Sequence, residues 1–457
     1  FKAYDIRGTV PDQMNPDLAR AVGASFARFS GTNRILVARD MRPSGVDLVA
    51  AFAEGATGAG VDVVDLGLCS TDEMYFASGF FDAPGAMFTA SHNPAQYNGI
   101  KLCRSGARPI GVETGLEQIK AGVLAGAGWK GLGVGDAGRR GGLTRADVLS
   151  DYAMKVRSFV DSTRLRPLKV VADTANGMGG LVVPAVFAGL PFELEILFGE
   201  LDGTFPNHPA DPIQPENLKA LQARILETGA DVGLAFDGDA DRCFLVDDKG
   251  VPLSGSTTTA LVAAAMLEKH PGSTILHNLI CSKSVAEIIR ERGGTPVRTR
   301  VGHSYIKGVM ADTGALFGGE HSGHYYFRDN YRADSGCIAA LLVLEVLSVS
   351  DRPLSEIRKD FERYADSGEI NTAVEDPAAV IEKVAAHFAA DGRLDRLDGL
   401  TVDMGDWWFN LRPSNTEPLL RLNLEAADRD ACDARTAEVL NLIRPAPTTD
   451  GQERNPG

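Results

Sequence analysis

Hydrophobic and polar positions follow one order three times along this 457-residue chain. Short apolar runs bounded by turn formers alternate with longer stretches whose apolar residues recur at helical spacing. The short runs read as buried strands and the longer ones as helices that cover them. In the first cycle, strands are predicted at 35–38, 61–64 and 85–88, with helices at 46–58 and 72–78. The second places strands at 169–172, 192–197 and 231–236, and helices at 181–188 and 215–228. In the third, strands at 274–276, 296–300 and 315–317 enclose helices at 284–292 and 304–311. Each cycle is strand, helix, strand, helix, strand, and each last strand runs into a polar motif.

Beyond Gly368 the pattern changes. Strands at 370–374, 399–402, 407–411 and 419–424 come with amphipathic helices at 377–388 and 431–442, which reads as a smaller α+β unit. The expected fold is therefore α/β with four domains around a central cleft: three similar mixed α/β units with helix-covered sheets, and a smaller C-terminal α+β domain. The expected boundaries are 1–140, 141–249, 250–362 and 363–447, with 448–457 a polar disordered tail. The Gly-rich stretch 122–142 marks the first boundary. The most apolar segment, 338–349, is too short to span a bilayer and carries Glu345, so it is expected as a core helix.

The first polar motif is Thr89-Ala90-Ser91-His92-Asn93-Pro94. Asn-Pro turns the chain, so Ser91 is expected exposed at a strand end, where α/β proteins place their chemistry. On an extended segment His92 would point to the other side of the chain, making it a poor base for Ser91. A serine so presented suits a phosphoryl carrier. The second motif, Asp237-Gly238-Asp239-Ala240-Asp241-Arg242, sets three carboxylates at alternate positions, where they can converge on one hard cation such as Mg²⁺. A calcium loop is excluded, because its sixth and twelfth positions would be Arg242 and Asp248. Three close carboxylates left uncompensated would repel, which argues against a plain acidic turn. A phosphoserine oxygen would complete the metal's shell, and Arg242 can pair with phosphate oxygens.

The third motif, Glu320-His321-Ser322-Gly323-His324, suits sugar hydroxyls, and His303 follows a predicted strand towards the same cleft. Zinc is not expected, for no H-E-x-x-H helix or clear third ligand accompanies the two histidines. Arg412-Pro413-Ser414-Asn415-Thr416 lies between two strands of the last unit and reads as a phosphate clamp or an ordinary turn. Asp5-Ile6-Arg7-Gly8 offers an arginine on a tight turn. Lys101 follows Ser91 closely, and a cleft can lower its pKa enough for proton transfer. The G-x-G-x-x-G match at 133–138 has neither a strand before it nor a helix after it, and is a decoy.

Composition narrows the partners. A net charge of −15 argues against nucleic acid and anionic membrane, so a phosphorylated substrate needs a locally positive cleft. Six scattered cysteines without a C-x-x-C pair fit free thiols in a reducing cytosol. No signal-peptide pattern opens the chain, and a cytoplasmic monomer or weak dimer is expected.

Together these motifs resemble the α-D-phosphohexomutase family over nearly the whole chain, in its phosphomannomutase/phosphoglucomutase branch. The resemblance implies that Ser91 is the phosphorylated residue and that Asp237, Asp239 and Asp241, with phosphorylated Ser91, hold Mg²⁺. It implies that Glu320 and Ser322, within the loop that also carries His321, Gly323 and His324, grip the sugar. Arg412, Ser414, Asn415 and Thr416 would hold the phosphate that does not react, with Tyr4 and Arg421 also at the substrate. Arg7 and Lys101 would assist proton transfer, with Arg242 and His303 also among the catalytic residues. Phosphate would move between the 1- and 6-positions of a phosphohexose through a hexose 1,6-bisphosphate, which also serves as activator. Asn415 stands where the phosphoglucosamine branch has Gly, which favours mannose or glucose. Bispecific members place a lysine where Ile280 stands here, with Lys283 beyond. A phosphatase and a non-catalytic phosphosugar sensor are the competing readings.

Overall fold

The computed structural model describes residues 1–2, 4–126, 140–413 and 419–444, together with the backbone but not the side chain of His303. The decoy glycine pattern and the predicted tail lie outside these residues.

Each of the three cycles folds into a sheet of the same order. In the first, Arg34–Arg39 is flanked by Asp62–Leu68 and Gly85–Phe88, all parallel, and Tyr97–Arg104 returns antiparallel beside Gly85–Phe88. The second repeats this with Lys169–Asp173 between Glu193–Leu197 and Val232–Phe236, and Cys243–Asp247 as the returning strand. In the third, Thr274–Asn278 lies between Thr295–Thr299 and Phe317–Gly319, with Tyr325–Phe327 returning. The sequence reading ended each unit at its polar motif. The structure adds the fourth strand, so every motif is the connection of an antiparallel pair at a sheet's carboxyl end.

The first sheet is enlarged at both edges. Ile6–Thr9 pairs antiparallel with Tyr97–Arg104, so Arg7 stands on a strand rather than on the tight turn expected. Leu143–Arg145 pairs parallel to Asp62–Leu68, and the chain leaves this sheet only after residue 145. Helix Pro16–Ser30 begins at the Asn15 cap with Pro at its first position and ends at left-handed Gly31, a start and stop written in the sequence.

The last unit is a five-stranded antiparallel sheet in the order Ala365–Ala373, Leu419–Ala426, Trp407–Pro413, Leu400–Asp403, Arg393–Asp395. Helices Pro377–Phe388 and Arg429–Ile443 pack on it. Its core, built around Phe388, Trp407 and Phe409, is separate from the others. The first three units, by contrast, share one continuous apolar cluster running through Leu36, Val170, Leu234 and Ile275. Gly336–Val349 is the predicted core helix; Glu345 in it is paired with Lys269. The contacts from the third unit to the last include polar ones: Lys283 N to Glu425 at 2.9 Å, Val301 N to Asp398 at 3.2 Å and Tyr364 to Glu287 at 2.7 Å. Such a seam allows relative motion more readily than an apolar one. All six cysteines are free and buried. Among the described residues, no helix is long and apolar enough to cross a membrane.

Candidate active site

Ser91 is not extended. Its backbone is left-handed, with φ of 49°, a conformation a non-glycine residue holds only when its surroundings impose it. The imposing group is Arg42. Its side chain is fully buried, and its five N–H donors all find acceptors. Four go to carbonyls of the serine loop: Ser91 O at 2.9 Å, Asn93 O at 2.7 Å, Pro94 O at 2.8 Å and Tyr97 O at 3.0 Å. The fifth meets Asp40 Oδ2 at 3.2 Å. Burial pushes Arg42 and Asp40 each towards its neutral form, and each holds the other charged.

This turn brings the His92 ring back to 3.3 Å from Ser91 Oγ, against the expectation that it would point away. His92 is nevertheless no strong base. Arg242 donates to its Nδ1, and this positive neighbour, together with burial and Arg7, holds its pKa well below the usual imidazole value. Ser91 Oγ instead donates to Asp237 Oδ2 at 2.8 Å, and Arg242 stands 3.3 Å from the same hydroxyl. Ser91 is itself 5 % exposed, more enclosed than its strand-end position implied.

The acid loop meets the serine loop backbone to backbone. A Cβ on Gly238 would sit 2.5 Å from Ser91 O, so only glycine permits the approach. Ala240, left-handed with φ of 60°, turns the chain so that Asp237, Asp239 and Asp241 face one another. One oxygen from each lies within 4.8 Å of the others. Their mutual repulsion is compensated by two cations. Lys101 Nζ lies 2.7 Å from Asp239 Oδ2 and 2.8 Å from Asp241 Oδ2, and the Arg242 guanidinium lies 2.9 Å from Asp237 Oδ2. Thr71, at the amino end of helix Thr71–Phe80, donates its hydroxyl to Asp239 at 2.6 Å.

Burial pushes the Asp237 carboxyl up to about 7 despite Arg242. Burial also raises Asp239, but Lys101 outweighs it and the group ends below the ordinary carboxylate range. Burial pulls the Lys101 ammonium down, while Asp239 and Asp241 hold it well above the usual lysine value. The lowering that a cleft could have imposed on Lys101 is therefore not found, because two carboxylates face it. The donor set suits a hard dication: three carboxylates, with Oδ1 of Asp239 and of Asp241 buried and without a hydrogen-bond partner.

Arg7 is held at the edge of this centre by Asn93 at 2.6 Å and by Asp5. Glu320 is buried in the third unit's loop, accepting from Tyr326 at 2.9 Å and from Ser322 at 3.3 Å. The two histidines of that loop diverge. His321 Nδ1 is 2.9 Å from Ser256 Oγ, whereas His324 Nδ1 is 2.8 Å from Asp334 and 3.8 Å from Asp241. His324 thus borders the acid loop as well as the sugar loop; burial lowers its pKa, but Asp241 and Asp334 outweigh this and raise it. Gly323, left-handed, lies against the Phe244 ring. Tyr4 packs edge-on against Tyr305, 6.1 Å away, joining the chain's start to the third unit. His303 opens helix His303–Thr313. In the last unit Arg412 and Arg421 are direct cross-strand partners, and one carboxylate, Glu369, lies 3.4 and 3.3 Å from them. Two facing guanidiniums with a single counter-charge among the described residues make a ready anion site. Ser414, Asn415 and Thr416 lie outside the described residues.

Comparison with known proteins agrees with this geometry. Family models described as phosphoglucomutase/phosphomannomutase α/β/α domains I, II and III match residues 1–127, 150–250 and 254–364, and the C-terminal domain model matches 369–442. The chain belongs to the phosphoglucomutase/phosphomannomutase family. Among its relatives are the phosphohexose mutases of Xanthomonas campestris pv. campestris, 42 % identical over 97 % of this chain and 99 % of theirs. A phosphomannomutase of Salmonella montevideo is 41 % identical over 97 % of this chain and 98 % of its own. The solved structure of a phosphoglucomutase/phosphomannomutase family protein from Burkholderia thailandensis superposes with a TM-score of 0.86 at 32 % identity, covering 97 % of both chains.

What sequence reasoning missed in this phosphoglucomutase/phosphomannomutase family member are the residues that hold the reacting groups: Arg42 with Asp40, Thr71, and Asp334. Asp334 also pairs with the buried Lys307 at 2.9 Å. One signal was available. Asp40 and Arg42 follow the strand Arg34–Arg39 at its carboxyl end, the same edge that delivers the three motifs.

Proposed function

We propose that this chain interconverts hexose 1-phosphates and hexose 6-phosphates, with mannose and glucose phosphates as substrates and a phosphorylated Ser91 as the carrier. The observation that carries this reading is the position of Ser91 Oγ, 2.8 Å from Asp237 and 3.3 Å from Arg242, where the serine and acid loops of two units meet. Asp237, Asp239 and Asp241 would hold Mg²⁺, which when bound neutralises charge on the transferring phosphoryl group.

The chain's own groups do the rest. The phosphoryl group leaves Ser91 Oγ as the bond from phosphorus to the free sugar hydroxyl forms, and the proton that this hydroxyl gives up ends on Ser91 Oγ in place of the phosphoryl group, restoring the free serine hydroxyl. Arg7, Lys101 and Arg242 surround this point with positive charge, which stabilises the developing anion. Glu320 and Ser322 hold the sugar's hydroxyls. Arg412 and Arg421, with Ser414, Asn415 and Thr416, hold the phosphate that does not react. The 1,6-bisphosphate then turns round, and its other phosphate passes to Ser91, restoring the carrier. Transfer to sugar must outrun transfer to water, and the polar seam of the last unit lets that unit close over the cleft.

The test is conversion of mannose 1-phosphate and glucose 1-phosphate with Mg²⁺ and catalytic glucose 1,6-bisphosphate, read by coupled oxidation of the 6-phosphates. Free phosphate released with no 6-phosphate formed would replace the mutase by a phosphatase. Faster turnover of glucosamine 1-phosphate would move the chain to the phosphoglucosamine branch. Chelation of divalent cations is expected to abolish turnover, and added Mg²⁺ to restore it.

Arg412→Ala should raise KM about 10- to 100-fold with a smaller change in kcat, since it removes a charge-assisted contact made in ground and transition states alike. Steady-state kinetics on glucose 1-phosphate checks this, and an unchanged KM would take Arg412 out of the clamp.

A further inference from the structure

Outside the cleft, a second groove runs along the seam between the third and fourth units, with a volume of about 710 Å³. That is the size of a small-molecule site, several times larger than a lone phosphate ion needs. It is basic, although the whole chain carries a net charge of −15. Lys283, Arg290 and Arg298 enter from the third unit, Arg393 and Arg396 from the fourth.

Among the described residues three carboxylates serve these five cations. Arg396 is paired with Glu382, Asp395 pairs with Arg298, and Asp403 serves both Arg393 at 2.9 Å and Lys283 at 3.9 Å. Arg290 is exposed and makes no ion pair among the described residues. The crowding is felt by neighbouring groups. Burial, with Arg298 and Arg290 adding to it, pushes the buried His277 imidazole down to about 4. Burial and then Arg393 lower Arg298 itself. Leu279, Pro296 and Trp408 give the same groove an apolar wall.

Guanidiniums from two directions suit adjacent phosphoryl groups, which they bind in bidentate fashion, and an apolar wall with an indole suits a flat heterocycle. We propose that this groove binds a nucleoside diphosphate, its phosphates on Arg290, Arg298 and Arg393 and its base against the wall formed by Leu279, Pro296 and Trp408. Lys283 belongs to this groove rather than to the sugar site, for its ammonium donates to Gly405 O of the last unit. A ligand spanning both units would tie the last unit to the third.

Calorimetric titration of the full chain with ADP tests the proposal. Saturable binding is expected, about tenfold or more weaker in the double variant Arg290→Ala, Arg393→Ala, because two charge-assisted contacts are lost. Both side chains are exposed, Arg393 to 83 %, so the fold should be untouched. Saturating glucose 6-phosphate and Arg412→Ala should leave ADP binding unchanged. Three outcomes would overturn the idea. One is no saturable heat up to about 5 mM ADP. Another is binding that survives the double variant but is lost with Arg412→Ala, which would place ADP in the catalytic cleft. The third is pyrophosphate binding as tightly as ADP, which would leave a bare anion site.

Discussion

Ser91→Ala is expected to lower mutase turnover by about 10³-fold or more, since it removes the only oxygen proposed to carry the phosphoryl group. Nothing beside it can substitute. The His92 ring accepts a hydrogen bond from Arg242, and the Asp237 carboxyl faces Arg242 within the acid loop. The hydroxyl makes few structural contacts, its main one being the 2.8 Å bond to Asp237, so the variant should melt within a few degrees of the wild type. Two measurements decide the case together: the coupled assay, and intact-mass detection of phosphorylation after incubation with glucose 1,6-bisphosphate. A variant that still takes up one phosphate and turns over would end the carrier role of Ser91.

The second large effect is expected at a residue that touches no substrate. Arg42→Ala should cost about 3–5 kcal/mol of stability, because Asp40 loses its counter-charge at a fully buried position and must either stay charged without a partner or take up a proton. The loss would extend to four carbonyls that define the serine loop, including that of Ser91 itself. Displacing a reacting oxygen by about 1 Å can cost on the order of 100-fold in rate. Arg42→Lys separates the two effects. An ammonium keeps the charge opposite Asp40 but has three donors where five are used, so stability should recover more than kcat. Denaturant unfolding and kcat measured on the same preparations would show it. Equal recovery of both would make Arg42 a packing residue only.

The three repeated units could be read from the sequence because their strands and helices differ in period and each begins and ends on turn residues. The returning strands were not. Tyr325–Phe327 has three residues and Cys243–Asp247 five, and neither run has an alternation to mark it. What makes them strands is pairing with the strand before the motif. The long helix Gly255–Lys269 was also passed over, since its first turns, Gly-Ser-Thr-Thr-Thr, read as a loop by composition; burial on nearly every side makes it helical in the fold. In the site, residue types and spacing marked out Ser91 and the aspartates. The errors concerned direction and company. His92 was set facing away because its neighbour was taken as extended, and a lowered pKa was open to Lys101 because Asp239 and Asp241 were not known to face it. Both depend on contacts between residues more than a hundred positions apart, or on a left-handed residue that only tertiary packing imposes.

The distribution of charge among the units bears on how the molecule is built. Asp237, Asp239 and Asp241 belong to the second unit, yet Lys101, which lies against two of them, comes from the first. A second unit folding alone would carry its three acids with Arg242 as the local counter-ion. Domains form in order as the chain emerges during synthesis. Lys101 is therefore made before the acid loop, and the loop closes onto a cation the chain already carries. Had the order of the two units been reversed, the nascent acid loop would have had to fold without it.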